Sequence, residues 1–128
     1  MSWVIADADV WIKGFNRSHP DPLAVHRLGA LVRERRLLVP GLIRQGVLAR
    51  TRDARQFARV AELLAAFPEV PPRMADDLEA ARLRQRVRGL DPARALLWAQ
   101  AITCGARLWS DDPSWTEFAA HGCPLIAR

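Results

Sequence analysis

Lysine is almost missing from this chain. Lys13 is the only one, so nearly all of the positive charge is arginine. Cysteine is scarce too: Cys104 and Cys123 lie apart, with no CxxC spacing. That gives no support to a disulfide framework or a zinc site, and fits two small thiols in a reducing compartment. His19, His26 and His121 are scattered and share no metal-ligand spacing. No run reaches the ~18 apolar residues of a membrane span. The N-terminus passes straight into Trp3-Val4-Ile5-Ala6-Asp7 without a basic leader. The expectation is a soluble, cytoplasmic protein with no targeting segment and no membrane partner. Internal repeats, low-complexity tracts and obvious linkers are absent as well, so residues 1–128 read as one domain.

What is present is an ordinary globular balance: 50% apolar and 26% charged residues, enough to bury a core without covalent staples. The net charge of +5 suits a phosphate-backbone ligand. GC-rich coding, which enriches Arg, Ala, Leu and Pro together, explains the same charge.

The apolar pattern alternates strands with helices. Strands are read at Trp3–Ala6, Leu37–Val39, around Val70, at Arg107–Trp109 and at Pro124–Ile126. Helices are read from Ala8 or Asp9 toward Phe15, at Leu23–Arg35, Leu42–Arg50, after Asp53, at Ala75–Arg88, from Asp91-Pro92 to Cys104, and at Ser114–His121. Leu28, Leu31 and Val32, then Phe57, Val60, Ala61 and Leu64, then Leu78, Ala81 and Leu83 supply inward stripes. Asp91 followed by Pro92 is a helix start, and Gly105 a stop. The fold class is α/β, a parallel sheet of about four to five strands flanked by helices.

Two of these strands run into aspartate: Val4-Ile5-Ala6-Asp7-Ala8-Asp9 and Leu108-Trp109-Ser110-Asp111-Asp112. In an open parallel sheet, ligands bind at the carboxyl ends of strands where the order reverses. Acids from two neighbouring strand ends would repel unless a cation lay between them. A hard divalent ion such as Mg²⁺, or Mn²⁺ in its place, suits such oxygens.

Over essentially its whole length the chain resembles the PIN domain, specifically the VapC-like toxins of bacterial toxin–antitoxin pairs. Val4 to Ile12 resembles the family's opening strand and aspartate. Gly89-Leu90-Asp91-Pro92-Ala93-Arg94-Ala95-Leu96-Leu97 resembles the segment that opens the later helix. Gly105 to Asp112 resembles the closing glycine, strand, Ser/Thr and aspartate. The resemblance implies a Mg²⁺-dependent endoribonuclease acting on RNA. Asp7 and Asp112 match its catalytic, metal-holding acids. It also implies a small antitoxin partner across the cleft and a homodimer.

The departures are specific. The family's glutamate after the second strand falls on Gln45, which keeps an acceptor oxygen but loses the charge. The aspartate on the later helix falls on Arg94, and a further acid often found after the late one falls on Ser114. Each remaining polar residue has two readings. Asp7 ligates metal or caps a helix. Asp9 is an extra ligand or a cap. Asp111 and Asp112 belong to the cleft or to a turn and helix cap. Ser110 orients a carboxylate or water, or satisfies the turn. Arg94 either enters the cleft, where its fork can pair with Asp7 or Asp112, or snorkels outward toward RNA phosphate. Arg50, Arg52, Arg55 and Arg59, with Arg82, Arg84, Arg86 and Arg88, are a solvated surface or a contact for RNA or an acidic partner. Trp98 and Trp109 read as core. Trp11 and Trp115 either pack or stack on a base.

Three functions follow. One is a VapC-type ribonuclease with weakened metal binding. The second is an inactive PIN-like pseudoenzyme that binds RNA or a protein, with Arg94 in the metal's place. The third, a response-regulator-like domain, needs a lysine on a later strand, and Lys13 is in the wrong place for it.

Overall fold

The computed structural model describes residues 2–15 and 18–126. Its strands are β1 (Trp3–Ala6), β2 (Leu37–Pro40), β3 (Glu69–Val70) and β4 (Ala106–Trp109). They form a parallel sheet in the order β3-β2-β1-β4. The helices are α1 (Ala8–Phe15), α2 (Pro22–Arg33), α3 (Gly41–Leu48), α4 (Ala54–Leu64), α5 (Met74–Arg86) and α6 (Pro92–Cys104). A 3₁₀ helix follows at Pro113–His121.

The order places the site. The chain moves outward from β1 to β2 to β3, then returns to lay β4 on the other side of β1. The carboxyl ends of β1 and β4 therefore flank the point where the winding reverses, the place where such sheets leave a crevice. The register sharpens this. Ala6 lies opposite Trp109, so the next residues, Asp7 and Ser110, emerge side by side.

The strands are short apolar runs because both sheet faces are covered. Val4, Ile5 and Ala6 are buried, as are Leu37, Leu38 and Val39. Fully burying side chains such as Ile5, Leu64 and Leu83 contributes about 1.5–3 kcal/mol each. Helix α6 lies deepest, with Ala95, Leu97, Trp98, Ala99 and Ala101 all buried. Its ends follow the sequence. Asp91 accepts the Arg94 backbone N–H at 3.1 Å, Pro92 fills the first turn, and Gly105 closes the helix with φ 65°. That left-handed turn is open to glycine without steric cost.

Two polar groups inside the core are satisfied by bonds between elements. Buried Asp76 accepts the Thr103 hydroxyl at 2.6 Å and the Arg73 backbone N–H at 2.9 Å. Buried Gln100 donates to the Val70 carbonyl at 3.1 Å. Burial pushes the Cys123 thiol up to about 12, so it stays protonated and inert. No described helix is long and apolar enough to cross a membrane.

The structure departs from the sequence reading in places. The strand expected at Pro124–Ile126 shrinks to one bridge, Leu108 with Leu125. Leu108 N–H donates to Pro124 O and Ile126 N–H to Leu108 O, each at 2.8 Å. Pro124 itself has no N–H with which to extend the ladder. Helix α2 stops at Arg33 rather than Arg35, because Arg35 turns to φ 54°. Val32, Phe57 and Leu78 are exposed rather than inward. On α4 the buried stripe is the narrow pair Val60 and Leu64, one turn apart.

Candidate active site

Asp7 leaves β1 just before α1, its direction set by the strand behind it. Its backbone N–H donates to the Trp109 carbonyl at 2.8 Å, continuing the ladder past both strands. Its carboxylate is spent on three donors. Oδ1 accepts the Ala8 N–H at 2.8 Å. Oδ2 accepts the Ser110 hydroxyl at 2.8 Å and the Trp115 indole N–H at 3.3 Å. Oδ1 meets the adjacent N–H and not the second or third helical N–H that a side-chain cap takes, while Oδ2 faces the seam.

Asp9 lies in the first turn of α1. It accepts its neighbour Val10 N–H at 2.9 Å and, across the cleft, the Asp111 N–H at 3.2 Å. Burial, then the nearby Asp7 carboxylate, push the Asp9 carboxyl above its ordinary value. Ser110 works in both directions: it donates to Asp7 and accepts the Asp112 N–H at 3.1 Å. Asp112 is exposed and caps the 3₁₀ helix, accepting the Ser114 N–H at 2.9 Å. Hydrogen bonds from the Ser114 backbone and side chain, with a smaller pull from Arg94, hold its carboxyl below the usual value. Asp111 pairs with Lys13 Nζ at 3.1 Å.

Arg94 is half-buried, and its bonds run to its own helix and to the 3₁₀ helix. Nε donates to Asp91 Oδ1. One terminal nitrogen donates to the Ser114 carbonyl at 3.1 Å and the Ser114 hydroxyl at 2.9 Å. The guanidinium lies 4.9 Å from the Phe118 ring centre and 5.9 Å from that of Trp115. Among the described residues its bonded partners are Asp91 and Ser114, not the carboxylates of Asp7 or Asp112. Asp91 lies one turn earlier on α6, inside the reach of an i,i+3 pair. Ser114 stands where an acid was expected and becomes the arginine's acceptor.

Gln45 is exposed on α3. The next residue, Gly46, comes so near to α1 that a Cβ placed on it would lie 3.0 Å from Ala8 Cβ. The helix carrying Gln45 therefore packs against the residue after Asp7. Trp11 is buried against Phe15 and Phe67, and Trp115 is buried against Phe118, so both pack rather than present a face for a base.

The structure thus gathers Asp7, Asp9, Ser110, Asp111 and Asp112 at one strand-end crevice, with Arg94 and Ser114 along its rim. Among the described residues no three His, Cys, Asp or Glu side chains are arranged to hold a metal ion. Two contacts escaped the sequence reading. Lys13 had a signal, since it stands one helical turn after Asp9. The Trp115 bond had none, because it depends on how the 3₁₀ helix returns.

The family model of the PIN domain matches residues 4–120. A toxin–antitoxin complex from Klebsiella pneumoniae is similar in structure, with TM-score 0.79 and 17% identity, covering 97% of this chain and 96% of that one. FitAcB from Neisseria gonorrhoeae is similar at TM-score 0.77 and 16% identity, with coverage of 97% and 96%. VapBC2 from Rickettsia felis, bound to a DNA fragment from their promoter, is similar at TM-score 0.73 and 14% identity, with coverage of 98% and 96%. At these identities the likeness is one of fold. No curated protein matches the chain.

Proposed function

This chain belongs to the PIN domain family, and we propose that it is a VapC-like member of a toxin–antitoxin pair that acts on RNA through a weakened divalent-metal site. The observation that supports this reading is the seam between β1 and β4. Ser110 to Asp7, and Asp111 N–H to Asp9, draw acids from two adjacent strand ends into one crevice.

The donor set suits a loosely held, hydrated divalent cation. Asp9 is pushed up first by burial and then by Asp7, so a cation in the crevice would favour its ionised form. Mg²⁺ keeps several waters and is held by as few as one or two carboxylates. Asp7 and Asp112 would hold it, with Asp9 in support. A cation bound there supplies Lewis-acid chemistry: a more acidic water and neutralisation of charge at the phosphate. The chain's own residues do the rest. Ser110 and Trp115 fix the orientation of Asp7 Oδ2. Ser110 also anchors the backbone at Asp112. Lys13 neutralises Asp111. Gln45 in place of an acid removes one charge from the set, and Arg94 adds an opposing one near Asp112.

A second reading has specific support: the missing three-acid arrangement among the described residues, and the two fixed cations, Lys13 and Arg94. On that reading the protein is a pseudoenzyme that binds RNA or a partner without cutting. In both readings a small antitoxin covers the crevice and the protein forms a homodimer. The likeness to toxin–antitoxin complexes supports the antitoxin.

Titrating the purified protein with Mn²⁺ by calorimetry separates the readings, with Asp7→Asn as control. Micromolar binding abolished by Asp7→Asn supports the nuclease. Absence of heat in the wild type leaves the pseudoenzyme.

A further inference from the structure

We propose that Arg27, held on the face of Trp109 beside the Lys13–Asp111 pair, anchors a phosphodiester of the RNA where it leaves the acidic crevice. The inference rests on the RNA reading above.

A cavity of about 280 Å³ opens next to the crevice, lined by Lys13, Asp21, Arg27, Trp109 and Asp111 among others. Two of its walls belong to the site already described. The Asp111 backbone N–H bonds to Asp9. The Trp109 carbonyl accepts the Asp7 N–H, while the ring of the same residue carries Arg27. A chain crossing the strand ends meets this cavity next.

The charges within it are unequal in their freedom. Asp111 is paired with Lys13 at 3.1 Å. Asp21 Oδ1 is spent on the Leu23 and Ala24 N–H groups at 3.1 and 3.2 Å, capping α2. Arg27 is half-buried, and among the described residues no carboxylate lies within ion-pair distance of it. Its guanidinium carbon stands 5.2 Å from the centre of the Trp109 ring. The stack restricts the fork's orientation and leaves its N–H donors for a ligand. A planar fork with five donors, no acceptor and a permanent charge matches phosphate oxygens. The Lys13–Asp111 pair at the same mouth carries no net charge, which leaves Arg27 as the cation offered to the ligand. An acidic side chain of a partner protein offers similar oxygens, but the shared wall with the crevice favours the strand that the crevice would receive.

The test is fluorescence anisotropy of a short unstructured RNA across a salt series. Wild type, Arg27→Gln and Arg33→Gln are compared, Arg33 being an exposed arginine in the last turn of α2. Arg27→Gln is expected to weaken binding roughly tenfold. The slope of log K against log salt should fall by about 0.7, one phosphate contact on a single strand. Arg33→Gln should leave both unchanged. If Arg27→Gln melts below the assay temperature, Arg27→Met replaces it, since an apolar stem keeps Trp109 covered without the charge. A wild-type slope in the Arg27 variant overturns the anchor while RNA binding stands, and points to an acidic protein partner. Failure of the wild type to bind RNA overturns both the anchor and the RNA reading.

Discussion

The Ser110 hydroxyl donates to Asp7 Oδ2 across the β1–β4 seam at 2.8 Å. Ser110 Oγ in turn accepts the Asp112 N–H. One hydroxyl thus ties the first acid to the loop that carries the last.

Ser110→Ala removes both bonds at once. Asp7 keeps its Ala8 and Trp115 donors, so the cost is below that of an orphaned buried carboxylate, about 1 kcal/mol. Urea unfolding reads that loss. Mn²⁺ affinity should fall several-fold, because Asp7 Oδ2 is no longer aimed. Wild-type values in both measurements would show the hydroxyl to be a bystander.

The Asp91–Arg94 pair predicts an acid-side dependence. Burial alone would raise the Asp91 carboxyl, but the side-chain and backbone bonds from Arg94 outweigh it and hold the group below its ordinary 3.8. A group depressed in the folded state stabilises above its unfolded pKa. That contribution fades as pH falls through about 4 and on through the folded value. The pair is partly exposed, so it is worth under about 1 kcal/mol. Asp91→Asn preserves the cap, since Asn caps as well as Asp, and removes only the charge. The stability gap between wild type and Asp91→Asn should shrink as pH drops from about 6 to about 3. A gap that stays constant over that range sinks the assignment.

Restoring the missing acids should strengthen the site. Gln45→Glu returns a carboxylate to the helix packed against Ala8, and Arg94→Asp exchanges a cation for an acid at the rim. Arg94→Asp also sacrifices the stack on Phe118 and the bonds to Asp91 and Ser114, at a cost of about 1–2 kcal/mol. The double variant should bind Mn²⁺ at least tenfold tighter than wild type despite melting lower. Calorimetry reads the first effect and thermal unfolding the second. Unaltered Mn²⁺ affinity would mean that these positions do not face the ion.

Much of this was legible in the sequence because the signals are local. Val4-Ile5-Ala6 and Leu37-Leu38-Val39 announce buried strands by composition. Asp21-Pro22, Asp53 and Asp91-Pro92 announce helix starts through their own capping bonds. The convergence of Asp7 and Ser110 was legible through strand order, which alternating elements restrict to a few choices. What escaped depends on return geometry. The fork of Arg94 suits the cleft acids, yet Asp91 on the same helix and Ser114 take it. Trp115 bonds Asp7 across more than a hundred residues, a contact that no local pattern encodes. The last strand failed for a local reason that the sequence did contain: Pro124 breaks the ladder.

Gly46 offers the sharpest packing test of the site. It has a negative φ, so its role is space, not backbone freedom. A Cβ there would stand 3.0 Å from Ala8 Cβ, closer than two methyl groups tolerate. Both atoms ride on helix backbones, so relief requires α3 to move away from α1. A single methyl gains helix propensity of about 0.5–1 kcal/mol over glycine, which offsets part of the clash. Gly46→Val adds two more carbons to the same gap and loses that benefit to β-branching. It should cost about 1–3 kcal/mol as overpacking. The consequence for the site follows from Ala8, whose N–H holds Asp7 Oδ1 at 2.8 Å. Spreading α1 from α3 shifts that donor. Gly46→Val should therefore lose Mn²⁺ affinity as well as stability, and Gly46→Ala should lose less of each. Equal stability losses in the two variants, with Mn²⁺ affinity untouched in each, would show that the α1–α3 contact does not support Asp7.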